Sequence, residues 1–343
     1  MSDRFVHLGS YTPDSSAPGR GAGVTAYRQD PGSGALTPVG DVTPVSGPSF
    51  LAWHPTGRFL YAVTERQDGS VNGYAVDGAA LRPLGSRPTG GSDPCHLSVD
   101  PTGRYLVTAN YGSGSVSVHP IATDGSLGER VDLVQRKGSG PVTDRQEGPH
   151  AHQARFDPAG RYVLVNDLGT DTVTAYRLEG GKLVESARTA LPAGTGPRHL
   201  AFGAGDRVYL AGELDSSVTA LEYDAGSGAL TAVGSVRSTG YDGVSFPSEI
   251  AASADGRYVY VANRGPNTVC VLAAEPAGVR LVAEVGTGGD WPRHLLLLGD
   301  FLYVANQNSD TVGIFRVDGD TGVPEPAGSL AVPSPACLIA SLS

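Results

Sequence analysis

Seven times along the chain a proline introduces a short, largely apolar run: Pro48-Ser-Phe-Leu, Pro94-Cys-His-Leu, Pro149-His-Ala-His, Pro197-Arg-His-Leu, Pro247-Ser-Glu-Ile, Pro292-Arg-His-Leu and Pro335-Ala-Cys-Leu. A second apolar run, ending on a small or polar residue, also recurs seven times, at 5–10, 59–64, 105–110, 162–167, 207–212, 258–263 and 301–306. About six residues later comes a β-branched stretch such as Val24-Thr-Ala-Tyr, Val173-Thr-Ala-Tyr or Val269-Cys-Val-Leu. Runs this short, rich in Val, Tyr and Phe and bounded by Gly and Pro, read as strands. Weaker segments around Leu36, Leu81, Leu127, Leu183, Leu230 and Leu281 predict a fourth strand in most units. Turns such as Asp100-Pro-Thr-Gly-Arg and Asp157-Pro-Ala-Gly-Arg join the first strand to the second as hairpins.

The second runs end at residues 10, 64, 110, 167, 212, 263 and 306, so the repeat is 43 to 57 residues long. That is the period of one four-stranded propeller blade. Pro335 opens a seventh first strand with only eight residues after it, while Phe5 to Ser10 is a second strand with no first strand before it. The two ends therefore complete one sheet and leave no unpaired edge. The expectation is an all-β fold, a seven-bladed β-propeller closed by its N- and C-terminal strands. Residues 1–343 are expected to form a single domain, because each blade buries its faces only against its neighbours.

Composition narrows the function. Gly (48) and Pro (25) suit a turn-rich globular chain, and hydrophobic residues make up 40%. No apolar run approaches the roughly 20 residues of a membrane helix, and Met-Ser-Asp-Arg-Phe is followed by no signal-peptide core, so a cytoplasmic, unanchored protein is expected. Three scattered cysteines, Cys95, Cys270 and Cys337, form no C-x-x-C pair. A net charge of −10 argues against nucleic acid as a partner. Among the 25 basic residues only Lys137 and Lys182 are lysines, so a phosphate or carboxylate site here must use Arg or His.

First strands line a propeller's channel, so their polar residues converge at one end of the axis. The aligned position after the repeat Pro reads Ser49, Cys95, His152, Arg198, Ser248, Arg293 and Ala336, with a two-residue insertion moving the third from His150 to His152. The next reads Phe50, His96, Gln153, His199, Glu249, His294 and Cys337. The position after the second run reads Tyr11, Glu65, Tyr111, Leu168, Glu213, Arg264 and Gln307. Glu213 and Arg264 stand out, since a structural repeat has no packing use for opposite charges at equivalent places. Any one of these His or Glu residues could merely satisfy backbone groups between blades. Asn110, Asn263 and Asn306 read as structural. His150 and His152 could together chelate a metal, but no carboxylate or Cys at ligand spacing accompanies them, and no metal is expected. The chain has no G-x-S-x-G elbow, Walker loop or H-E-x-x-H.

Several stretches, among them Gly47-Pro-Ser-Phe-Leu-Ala-Trp-His-Pro-Thr-Gly-Arg, Arg145-Gln-Glu-Gly-Pro-His-Ala-His, Gly196-Pro-Arg-His-Leu, Glu213-Leu-Asp-Ser, Asn263-Arg-Gly and Trp291-Pro-Arg-His, resemble the seven-bladed lactonase family. The resemblance covers nearly the whole chain. It implies hydrolysis of a sugar lactone, most simply 6-phospho-D-glucono-1,5-lactone in the pentose phosphate pathway, without a cofactor. It also implies that His152, Arg198, Glu213 and Arg264 are catalytic, the same set that the repeat alignment singles out. In that reading His152 or Glu213 is the general base and the two arginines stabilise the oxyanion. His96, His150, His199, Arg293 and Glu147 are the candidates for holding substrate. A muconate-type cycloisomerase on the same site, or a non-enzymatic propeller scaffold, are the alternatives. The partner is then a small anionic lactone, and the protein a monomer or weak homo-oligomer.

Overall fold

A computed structural model describes residues 4–342; Met1, Ser2, Asp3 and Ser343 lie outside it. The repeats become seven antiparallel sheets set in a ring, and no helix occurs among the described residues. The innermost strands are Pro335–Ala340, Leu51–Trp53, Pro94–Val99, Ala151–Phe156, Pro197–Phe202, Phe246–Ala252 and Pro292–Leu298. Outside each lie its hairpin partner and then two further strands. The ring closes as the chain ends require: Pro335–Ala340 pairs with Phe5–Ser10, with Leu8 opposite Leu338 and Val6 opposite Ala340.

Two outer strands differ from the sequence expectation. In the third blade the fourth strand is Asp132–Gln135. Leu127 instead bridges Ile121 and drops its side chain into the core between blades, because the chain doubles back at once through Gly125. In the seventh blade Pro324–Ala331 supplies a fourth strand where the sequence showed no leucine signal. These outer strands are half exposed, so little apolar patterning is required of them.

The core consists of seven apolar layers, one at each blade interface. Val6, Leu8 and Tyr27 of the closing blade pack on Tyr303, Val312 and Ile314 of the seventh, and equivalent sets fill the other six junctions. A repeated tyrosine ties several of these layers across the junction. Tyr61, Tyr260 and Tyr303 donate their hydroxyls to the carbonyls of Gly125, Gly322 and Gly34 in the following blade, at 2.7 to 2.9 Å. Those glycines adopt positive φ with an aromatic ring where a Cβ would stand, so they serve both the turn and the close approach.

The inner strands carry the feature that builds the site. In six of the seven a β-bulge falls just after the repeat Pro, for instance between Ala151 and Gln153, Pro197 and Leu200, and Pro292 and His294. Consecutive residues on a regular strand face opposite sides, but a bulge re-aims one of them. Both aligned columns of the sequence therefore reach the channel.

Candidate active site at the channel mouth

Glu213 is the centre of the site, placed by the turn after the strand Arg207–Gly212. Its side chain is 3% exposed and is gripped by three guanidiniums. Arg145 Nη2 lies 2.6 Å from Oε1, while Arg264 Nη2 and Arg198 Nε lie 2.7 and 3.2 Å from Oε2. Burial alone would raise the Glu213 carboxyl, yet Arg264, Arg198 and Arg145 together hold it at about 2. It is a carboxylate at every physiological pH.

Arg198 is not satisfied by this contact. Its Nε approaches Glu213 without hydrogen-bond geometry, and its buried Nη1 has no hydrogen-bond partner. Burial, then repulsion from Arg264, brings Arg198 down to about 10, so it stays cationic at neutral pH with donors to spare. Arg264 is steadied by the Phe246 carbonyl at 3.1 Å and by the rings of Trp291 and Phe246, 5.5 and 5.9 Å from its Cζ. Arg293 completes the cation group. It lies over the Tyr11 ring at 4.9 Å and 3.8 Å from Glu65, which accepts the Tyr11 hydroxyl at 2.9 Å.

His152 joins Arg198 and Arg293 around a small cavity, with Cys95 Sγ 3.8 Å from its Nδ1 and the His199 ring 5.0 Å away. Burial first, then Arg198, pushes its imidazole well below the usual histidine range. It is therefore neutral at pH 7, and no hydrogen bond within the described residues uses its Nε2. The structure thus brings His152, Arg198, Glu213 and Arg264 into one cluster.

The other candidates separate into two places. His150 stands at the mouth, stacked on Tyr111 at 4.5 Å, with Nδ1 against the Tyr111 carbonyl at 2.9 Å and Nε2 against Glu147 at 3.1 Å. Both its ring nitrogens are occupied, and no group of three or more potential metal ligands occurs among the described residues. His96 and His199 lie one step further along the inner strands. There they surround the Phe50 ring, together with His294, at 4.1 to 5.9 Å. Glu249 accepts from His199 Nδ1 at 2.9 Å and lies 3.4 Å from His294 Nε2. This imidazole layer plugs the channel behind His152. The sequence columns had placed Glu65, Tyr11, Tyr111 and Glu249 without assigning them a role, and Arg145 lay in the quoted Arg145–His152 segment; all five contribute to the cluster or its floor.

The buried imidazoles make the fold acid-sensitive. Burial lowers His96, His152, His199 and His294, the last to about 4. Below pH 6.5 the unfolded chain binds protons that the native state refuses, so stability falls with pH. Below 4.5 the stabilisation from ionised Glu213 is lost in turn. Urea midpoints are expected to decline steadily from pH 7 to pH 4; a flat profile would show that these histidines protonate freely in the native state.

Comparison with known proteins places this geometry. The sequence profile described as "Lactonase, 7-bladed beta-propeller" matches residues 5–340. The chain is 34% identical to the 6-phosphogluconolactonase of Bacillus subtilis over 98% of each protein. It is 32% identical to the 6-phosphogluconolactonase of Pectobacterium carotovorum over 81% of this chain and 83% of that one. The solved structure of the Pseudomonas aeruginosa periplasmic gluconolactonase superposes with a TM-score of 0.91 over 99% of both chains, at 31% identity.

Proposed function

The chain belongs to the seven-bladed β-propeller lactonase family, and from that membership we propose that it hydrolyses 6-phospho-D-glucono-1,5-lactone to 6-phosphogluconate, the lactone-opening step of the pentose phosphate pathway. The observation that carries this reading is charge. Around Glu213 three guanidiniums, Arg145, Arg198 and Arg264, meet one carboxylate within 3.2 Å, a local excess of two positive charges on a protein of net charge −10. Such an excess draws in and holds an anion. The scaffold alternative falls away with the lactonase relatives.

The chemistry follows from the protonation states. Water attacks the lactone carbonyl carbon while neutral His152 takes its proton through Nε2. Glu213 is a poor base, because its proton affinity is spent on three arginines. The carbonyl oxygen gains the negative charge, and the unpartnered N–H groups of Arg198 meet it there without reorganisation. Collapse of the tetrahedral adduct breaks the ring C–O bond, and the imidazolium returns its proton to the departing hydroxyl. The acid product ionises and releases one proton to solvent.

A phosphorylated and a plain gluconolactone separate this from hydrolysis of an uncharged lactone. A charge-assisted hydrogen bond contributes about 1.5–3 kcal/mol, so kcat/KM, corrected for spontaneous opening, is expected to favour the phosphorylated lactone by about 10- to 100-fold. Equal values would mean that the positive excess serves only the reacting carbonyl.

A further inference from the structure

In five of the seven blades the residue before the repeat Pro takes a left-handed backbone conformation, with φ between 43° and 64°: Gly47, Asp93, Gly196, Trp291 and Ser334. Four of these are glycine or small residues, which tolerate that conformation. The fifth is a tryptophan. A bulky side chain on a left-handed, pre-proline backbone is strained, and such strain persists where the surroundings impose it, commonly at functional sites.

The strained indole lies at the site. It sits 5.5 Å from Arg264 Cζ, and its neighbour Phe246, the pre-proline residue of the preceding blade, lies 6.2 Å away and also 5.9 Å from Arg145 Cζ. Together the two rings form an apolar wall beside the guanidiniums that hold Glu213. The Trp291 backbone N–H is satisfied by Asn267 at 2.9 Å, but no hydrogen bond within the described residues uses its indole N–H. Packing alone does not require the indole: in three other blades the same place is a glycine, Gly47, Gly148 or Gly196, with no side chain at all. A cyclic sugar offers the complementary surface, a C–H face for the ring and hydroxyls for the N–H.

We propose that Trp291 is a specificity-determining residue, an aromatic platform that holds the pyranose-like ring of a sugar lactone, and that its backbone strain is retained for that contact. The inference rests on the lactonase reading for its substrate class. It goes beyond that reading in assigning recognition of the ring itself to an aromatic wall, separate from the arginine cluster.

The chain has two tryptophans, and Trp53 is remote from the arginines, edge-on to His7 at 5.3 Å. In a Trp53→Phe background, titration with D-glucono-1,5-lactam, a closed-ring isostere of the lactone that resists hydrolysis, is expected to change the emission of Trp291. Trp291→Gly is expected to weaken lactam binding about tenfold by calorimetry and to raise KM for the lactone, while raising the urea midpoint because the strain is released. Trp291→Phe should recover most of the affinity. Silent Trp291 emission on binding, or unchanged affinity in Trp291→Gly, would overturn the platform; so would a lowered midpoint in Trp291→Gly, which would make the indole a packing element. The two readings fail separately. A parent protein that turns over no lactone, yet binds the lactam with a change in Trp291 emission, sinks the reaction and keeps the platform. Turnover with a silent Trp291 does the reverse.

Discussion

Glu213→Gln is expected to lower kcat/KM for lactone hydrolysis by at least about 100-fold and to lower the urea midpoint with it. The substitution keeps the size of the side chain but removes the charge that Arg145, Arg198 and Arg264 share. Three guanidiniums are then left facing one another in a site that excludes most water. Breaking a buried ion pair by removing one partner costs about 3–5 kcal/mol, and here one carboxylate serves three partners. The arginines must separate or draw in solvent, and in either case the geometry around the lactone carbonyl is lost. The double readout identifies the role. A general base replaced by its amide would lower kcat and leave stability and KM nearly unchanged, whereas loss of an electrostatic anchor lowers kcat and stability and raises KM. Loss of kcat alone would return Glu213 to the role of base and release His152 from it.

Arg198→Met is expected to show the opposite combination. Arg198 is buried among like charges, carries an unpartnered Nη1, and is brought down to about 10 by burial and by Arg264. Replacing it with an apolar chain of similar length removes repulsion and two unsatisfied donors, so the urea midpoint should hold or rise. Hydrolysis should suffer, because a preorganised donor to a developing oxyanion contributes about 10²- to 10³-fold in kcat. Arg198→Lys keeps a charge but not the planar fork, and should recover only part of that loss. A stabilised, inactive Arg198→Met is the signature of a residue kept for catalysis. A destabilised, active one would show that Arg198 serves the fold.

Much of this was legible in the sequence because a propeller repeats its geometry. Once seven units were aligned, residues remote in sequence fell into columns, and the columns holding His152, Arg198, Glu213 and Arg264 are those that meet at the channel. The second strands were legible almost to the residue because they are buried on both faces, as in the wholly buried run Phe59–Thr64. The missing parts have physical causes. Arg145 reaches Glu213 from the long connection between the third and fourth blades, which has no counterpart in the other repeats and so belongs to no column. His96 and His199 were expected beside His150 at the substrate. The bulges aim their column at a layer built around Phe50 and Glu249, where His199 also borders the small cavity shared with His152 and Arg198. A bulge leaves no mark in a two-residue alternation. The pairing of His150 and His152 is likewise altered by the bulge at His152, which leaves one ring stacked on Tyr111 and the other edge-on to it.

The most direct measurement is a crystal structure of the protein soaked with 6-phosphogluconate, the stable acid that the proposed reaction produces. The new carboxylate is expected to sit against the free guanidinium edge of Arg198, within hydrogen-bond reach of His152 Nε2, with Glu213 still clasped by its arginines. A sugar acid bound elsewhere on the ring, leaving Arg198 and His152 untouched at saturating ligand, would contradict the proposed reaction.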